Sequence, residues 1–212
     1  LVSVKNETAM LTTFNEVDMK PIMDLRKEYK DAFAAKHGVG LGFMSFFTLA
    51  TVRALKMYPA VASMIDGDDM VSFETTDISV AVSGPKGLMV PVLRNADQMS
   101  FAEVEGGIKD LATKVRDGKI SVDEMTGGCF TITNGGIFGS MMSTPIINAP
   151  EVAILGVCKS THEPVWDGKQ FVPRLMLPLS LTWDHRVIDG AAAARFNAYL
   201  GQILGDFRRV LL

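Results

Sequence analysis

Three histidines, His37, His162 and His185, are the only side chains in this sequence whose ordinary titration falls between pH 5 and 8. His37 stands beside Gly38 at the end of a helical stretch whose last turn carries Lys36, where a cation complements the helix dipole. His162 lies in a polar stretch before Pro164 and reads as surface. His185 is different. It follows an apolar strand-like run, precedes a helical pattern, and is flanked by Asp184, Arg186 and Asp189. A strand-to-helix junction presents a side chain at the sheet edge while the ladder holds its backbone. Carboxylates one residue before and four after can fix the tautomer and orientation of the ring, and an imidazole titrating near about 6.5 can take a proton at neutral pH. The same residues also fit a buried histidine satisfied by Asp189, with Arg186 in a surface ion pair. The H-x-x-x-D-G pattern alone does not choose between them.

Other reaction classes fail on inventory. No cluster of His, Cys and carboxylates stands at metal-ligand spacing, so no metal is expected. There is no G-x-S-x-G elbow. Cys129 and Cys158 lie in apolar strand-like stretches, away from helix starts and basic groups, and read as buried reduced thiols of a cytoplasmic or matrix protein. A lone histidine base must therefore act on a nucleophile carried by the substrate, and a thiol needs only one proton removed. Attack on an acyl group creates an oxyanion that needs a donor. Thr133 enters the glycine-rich stretch Asn134-Gly135-Gly136-Ile137-Phe138-Gly139-Ser140 and offers a hydroxyl. That stretch has neither the Gly-Lys-Ser/Thr ending nor the G-x-G-x-x-G order of a nucleotide cradle.

These residues need elements to position them. The first ten residues read as the tail of a helix, and Leu11 to Val17 alternates as a strand. Pro21 begins an amphipathic helix through Ile22, Leu25, Tyr29 and Phe33, closed by Gly38. A second helix, about Met44 to Met57, is apolar on most sides and therefore buried, with Pro59 ending it. Ile78–Val82 and Leu88–Leu93 read as strands around a hairpin turn at Gly84-Pro85-Lys86-Gly87. Ser100 with Glu103 forms a capping box opening a helix to Asp117-Gly118, and Ser121 with Glu124 opens a short helical turn. Strands follow at Cys129–Thr133, Glu151–Val157 and Met176–Trp183, then a helix from Asp189 to Leu204. The whole reads as one domain over residues 1–212, a mixed α/β sheet covered by helices.

Composition narrows the partners. With 48% apolar and 21% charged residues the chain can bury an ordinary core, and a net charge of −3 without a basic run excludes nucleic acid as an expected partner. No 18-residue apolar run or basic-then-apolar leader occurs, so neither a membrane span nor a targeting segment is expected. Methionines at Met141, Met142 and Met176 read as core filler or as a packed contact between copies.

At the chemically promising residues the sequence resembles the catalytic core of the dihydrolipoamide acyltransferases of 2-oxoacid dehydrogenase complexes. Asp184-His185-Arg186-x-x-Asp189-Gly190 matches the D-H-R-x-x-D-G signature, Phe130–Gly136 a second block and Thr144–Asn148 a third, and the likeness runs over nearly the whole chain. The resemblance implies a coenzyme A-dependent acyltransferase fold like that of chloramphenicol acetyltransferase. It implies trimers with active sites between subunits, assembled into a hollow multimeric core. Coenzyme A and a lipoyl arm, carried on a domain not in this chain, would enter one channel from opposite ends. Lipoyl domains, 2-oxoacid dehydrogenase and dihydrolipoamide dehydrogenase subunits would be partners in a bacterial cytoplasm. His185 would be the base, Thr133 of a neighbouring subunit the oxyanion donor, and Asp189 a structural residue paired with an arginine. The helix that usually supplies that arginine is not in this sequence. The apolar tail Val210-Leu211-Leu212 would suit contacts between trimers.

For the acyl group the resemblance is mixed. Residues 9–148 resemble succinyltransferases, whereas residues 149–212 are closer to acetyltransferases of the pyruvate complex. Ser140 keeps the succinyl-type residue, and Cys158 stands where succinyltransferases tend to carry a histidine. The expectation is succinyl transfer, with acetyl transfer or a catalytically idle scaffold as alternatives.

Overall fold

A computed structural model describes residues 1–211, Leu211 by its backbone only; the end of the expected contact tail, Leu212 and the side chain of Leu211, lies outside the described residues. In chain order the elements are α1 (Val2–Glu7), β1 (Met10–Asp18), α2 (Lys20–His37), α3 (Phe43–Met57), β2 (Ser63–Asp66), β3 (Asp69–Ser72), β4 (Ile78–Val80), β5 (Val82–Gly84), β6 (Gly87–Met89) and β7 (Val92–Leu93). Then come α4 (Phe101–Arg116), β8 (Phe130–Asn134), β9 (Ala153–Val157), β10 (Thr161–Trp166), β11 (Phe171–Asp184) and α5 (Gly190–Gly205). The chain ends in a 3-10 turn, Phe207–Leu211.

The main sheet runs β1-β11-β9-β8-β4-β7, with β10 paired to the first half of β11. β4, β8 and β9 are parallel neighbours and the other pairings are antiparallel, so the sheet is mixed as expected. The period-2 rule gives its faces opposite characters. Ile132, Leu155 and Leu181 stand side by side on one face. There α5 covers them: Phe196 is fully buried with its ring 5.8 Å from that of Phe130. The other face carries a row of small polar side chains, including Thr131, Thr133, Ser180 and Thr182, and Thr182 is hydrogen-bonded to Thr12 at 2.8 Å. The segment between Ser140 and Pro150 crosses this second face, with Pro145 packed over Gly156.

Local rules account for the helix ends. Gly38 adopts φ +70° and donates its N–H to the Ala34 carbonyl, closing α2 where a side chain would be strained. The Ser100–Glu103 box is formed at the start of α4, and Ser121 and Glu124 make the same reciprocal pair over a shorter 3-10 turn. The apolar α3 is buried on most sides.

Three expectations need correction. The hairpin around Gly84–Gly87 forms, but each of its strands breaks in two. The outer pieces β5 and β6 pair with each other, while β4 and β7 pair inside the main sheet. His162 is exposed, as expected, yet it lies on a strand, opposite Leu175. Met141 and Met142 are exposed, so they are not core filler.

Candidate active site

β11 brings His185 to the end of the sheet. Its last residues are locked from both sides: Asp184 donates its N–H to Val152 at 2.9 Å, and His185 donates its own to Ala9 at 2.9 Å. The imidazole is exposed beside the indole of Trp183, with ring centroids 4.8 Å apart. Trp183 is fixed in turn by donating Nε1–H to Thr13 Oγ1 at 2.8 Å. Among the described residues the imidazole has no hydrogen-bond partner.

The flanking carboxylates do not hold the ring, contrary to the expectation from their spacing. Asp184 is buried and accepts from Ala9 N at 3.2 Å, from Arg186 N at 3.1 Å, and from the Arg186 guanidinium on both oxygens, the shortest at 2.6 Å. Burial by itself would raise its pKa. The hydrogen bonds from the Arg186 side chain and backbone and from Ala9 outweigh burial and hold the carboxyl below the usual range. Asp189 is the N-cap of α5 and accepts from Ala192 N at 2.7 Å. Among the described residues no arginine pairs with it. Both acids shape the turn around His185, leaving the imidazole free to meet something outside the chain.

Thr133 lies at the far end of the sheet. It pairs in register with Gly156, which pairs with Ser180, five residues before His185 on β11. At strand dimensions this puts Thr133 about 17 Å along and about 10 Å across from His185, roughly 20 Å apart in one chain. The glycine-rich stretch after Thr133 folds tightly back on β9. Gly135 N donates to Val157 O at 3.0 Å, and Lys159 N donates to Ser140 O at 2.7 Å. Gly136 lies so close to the next strand that a Cβ there would stand 2.4 Å from the Cys158 carbonyl oxygen. Gly136→Ala is therefore expected to destabilise the protein by about 1–3 kcal/mol, read as a lower Tm in thermal denaturation; an unchanged Tm would show that the loop can move aside.

The loop brings Ser140 and Cys158 together around Gly135 and Gly136, just past Thr133. Ser140 Oγ donates to Met142 O at 3.2 Å. Cys158 is buried, and its thiol lies 3.7 Å from Ser143 Oγ. Ser143, passed over in the sequence for the methionines before it, also stands over Gly156, directly beside Thr133. Ser143 is half-buried and Cys158 buried, so the hydroxyl is the more exposed of the pair. The other cysteine, Cys129, is buried, and burial pushes its thiol up to about 12, which leaves it inert. Among the described residues no group of three or more His, Cys, Asp or Glu is placed to hold a metal, and no helix is long and apolar enough to cross a membrane.

Comparison with known proteins bears on this arrangement. Residues 1–212 match the family model of the 2-oxoacid dehydrogenases acyltransferase (catalytic domain). The chain is 55% identical over 212 residues to the dihydrolipoyllysine-residue succinyltransferase component of the 2-oxoglutarate dehydrogenase complex of Haemophilus influenzae, covering 100% of this chain and 52% of that protein. The Escherichia coli K12 protein of the same description is 54% identical, again over 52% of its length. The chain thus spans about half the length of the curated relatives it matches. Among solved structures, the Azotobacter vinelandii dihydrolipoamide acetyltransferase superposes with a TM-score of 0.96 at 44% identity, over 100% of this chain and 88% of that one. The cubic core of a pyruvate dehydrogenase multienzyme complex gives the same values. Chloramphenicol acetyltransferase, at 16% identity and a TM-score of 0.56 over 93% of this chain and 89% of that one, shares the fold. With the expected signature at the end of β11, the expected fold around it and a family match from the first residue to the last, the chain belongs to the 2-oxoacid dehydrogenase acyltransferase family.

Proposed function

We propose that residues 1–212 form one catalytic domain that transfers a succinyl group between dihydrolipoamide and coenzyme A, with each active site built from two copies of the chain. The observation that carries this reading is the separation of roughly 20 Å between Thr133 and His185, which no single reacting atom can bridge. Two copies bring the Thr133 end of one sheet to the His185 end of the next. Exposed Ile137, Phe138 and Met141 on the loop after Thr133 supply an apolar surface for that contact. In the A. vinelandii acetyltransferase a serine, a histidine and an asparagine were investigated for roles in the catalytic mechanism. There the histidine follows the serine by the interval at which His185 follows Thr133, and the asparagine comes four residues later, as Asp189 does.

His185 removes the proton from the coenzyme A thiol as the sulfur attacks the thioester carbonyl of succinyl-dihydrolipoamide. The C–S bond to coenzyme A forms and the carbonyl becomes an oxyanion, to which the Thr133 hydroxyl of the adjoining copy donates. The oxyanion collapses, the bond to the lipoyl sulfur breaks, and the imidazolium returns its proton to that sulfur. No acyl-enzyme forms. Asp189 acts by capping α5 and Asp184 by holding Arg186, so that the turn bearing His185 keeps its shape. Ser140 and Ser143 face the acyl end, with Cys158 behind them.

Succinyltransferase relatives that match over the whole of this chain and about half of their own length favour the succinyl group over acetyl. The cubic core of a pyruvate dehydrogenase multienzyme complex among the structural matches supports assembly into a multimeric core. Trimers forming a hollow body, with lipoyl domains, a 2-oxoacid dehydrogenase and dihydrolipoamide dehydrogenase as partners in a bacterial cytoplasm, belong to the same proposal. An apolar groove of about 470 Å³, lined by Leu25, Phe33, Phe101 and Phe207, adjoins Val210 near the chain end and suits a contact between trimers. The deciding assay compares kcat/KM for succinyl- and acetyl-coenzyme A with free dihydrolipoamide. A pocket that presents hydroxyls to a distal carboxylate should favour succinyl by about 10-fold or more. An acetyl preference would overturn the assignment.

A further inference from the structure

Glu151, two residues before β9, is a buried ionisable group that the mechanism above does not use. It is 4% exposed and, among the described residues, has no ion-pair partner. Its Oε1 accepts from Ser79 Oγ at 2.6 Å and from Asn148 Nδ2 at 3.2 Å, and its Oε2 accepts from Thr131 Oγ1. Asn148 Nδ2 also donates to Thr131 Oγ1 at 3.4 Å. Burial pushes the carboxyl up to about 7, the hydrogen bonds from Ser79, Thr131 and Asn148 offsetting part of that rise. The charged and titratable groups around it are few. Cys129 lies near it just before β8, with Asp77 close to that thiol before β4. Glu7, Asp184 and Arg186 share with it a cleft of about 240 Å³. Arg186 is already engaged by Asp184, and Arg94 by Asp77.

The place of this network matters more than its composition. Thr131 precedes Thr133 by two residues on β8, so both side chains lie on the same face of the strand. Val152, next to Glu151, accepts the N–H of Asp184, the residue before His185. Asn148 belongs to the segment that continues from Ser143 across the sheet. We propose that Glu151 is a positioning residue for acyl transfer, fastening β4, β8, the crossing segment and the lead-in to β9 together so that Thr133 and His185 keep their places at opposite ends of the sheet. This rests on the two-copy reading of the site given above.

Glutamine in place of Glu151 tests the idea with little change of shape. Asn148 turns its Nδ2 donor toward Glu151, and while it keeps that orientation the glutamine carbonyl takes the Oε1 position. Its NH2 then faces Thr131 Oγ1, whose hydroxyl hydrogen loses its acceptor. With the full chain in its assembled form, Glu151→Gln is expected to assemble as the parent does by light scattering. Its kcat should fall by about 10- to 100-fold while KM for coenzyme A is unchanged. The acid limb of the parental kcat profile should contain an ionisation that the glutamine variant lacks. Parental kcat and pH profile in an assembled Glu151→Gln protein would overturn the proposal, and so would a lowered Tm with parental kcat. If that variant does not assemble, Thr131→Val decides, because it keeps the branched shape and removes the link to Glu151. A similar loss of kcat supports the role, and parental kcat removes it. His185→Ala measured alongside separates the two ideas: intact exchange without His185 defeats the reading of the site, whereas silent Glu151 and Thr131 variants defeat only this inference.

Discussion

Replacing His185 by alanine is expected to lower kcat for succinyl exchange between coenzyme A and dihydrolipoamide by about 10²–10⁴-fold, while assembly and Tm stay near parental. The first expectation follows from chemistry. His185 is the ionisable side chain that the proposed mechanism uses as its base, and no neighbouring carboxylate is placed to replace it, since Asp184 is locked to Arg186 and Asp189 to the start of α5. The second follows from packing. The imidazole is exposed and, among the described residues, unbonded, so its truncation removes only the contact with the Trp183 ring and should cost about 1 kcal/mol or less. Stopped-assay exchange rates and a thermal melt check the two halves separately. Undiminished turnover would sink the mechanism, and near-complete loss would remove the idle-scaffold alternative.

Thr133→Val should lower kcat by about 10²–10³-fold by taking away the oxyanion donor while keeping a branched side chain on β8. The more searching experiment mixes it with His185→Ala. Each variant alone has no intact site. Denatured together in equal amounts and reassembled, the two should recover activity, because a Thr133→Val chain still supplies His185 and a His185→Ala chain still supplies Thr133. Random assembly would leave roughly one site in four intact. Failure of the mixed, properly assembled protein to recover any rate would show that both groups act within one chain, and the long separation seen across the sheet would then have to be closed by a rearrangement.

Much of this architecture was written in the sequence, and the exceptions share physical causes. Helices with caps were legible because their boundary residues act locally: Gly38, Ser100 with Glu103, and Asp189 each do their work within a turn. The strands β10 and the early part of β11 were not. Pro164 and Pro173 interrupt their apolar pattern, and the two prolines turn out to face one another in register, giving up ladder donors together. The β2–β3 hairpin is not legible in the sequence because its strands have only four residues each and β3 is mostly exposed. At the site, the type of residue was readable and its bonding was not. Asp184 and Asp189 stand at spacings that could serve His185, but spacing does not say which acid a guanidinium or a helix end will claim first. Glu151 gave no signal at all, since its partners Ser79, Thr131 and Asn148 come together only when β4, β8 and β9 assemble.

The length of β11 has a consequence for damage. Its last residues, from Ser180 onward, carry His185 away from Thr133, so that in the two-copy arrangement proposed above every chain would serve two centres with different groups. In the proposed ring of three, a copy that lacks only one group would spoil one centre and leave its neighbours working. A copy that lacks both spoils two of the three. A misfolded or truncated chain that still enters the ring is therefore a poison out of proportion to its number, and selection against such chains should act on their entry into the ring as strongly as on their chemistry.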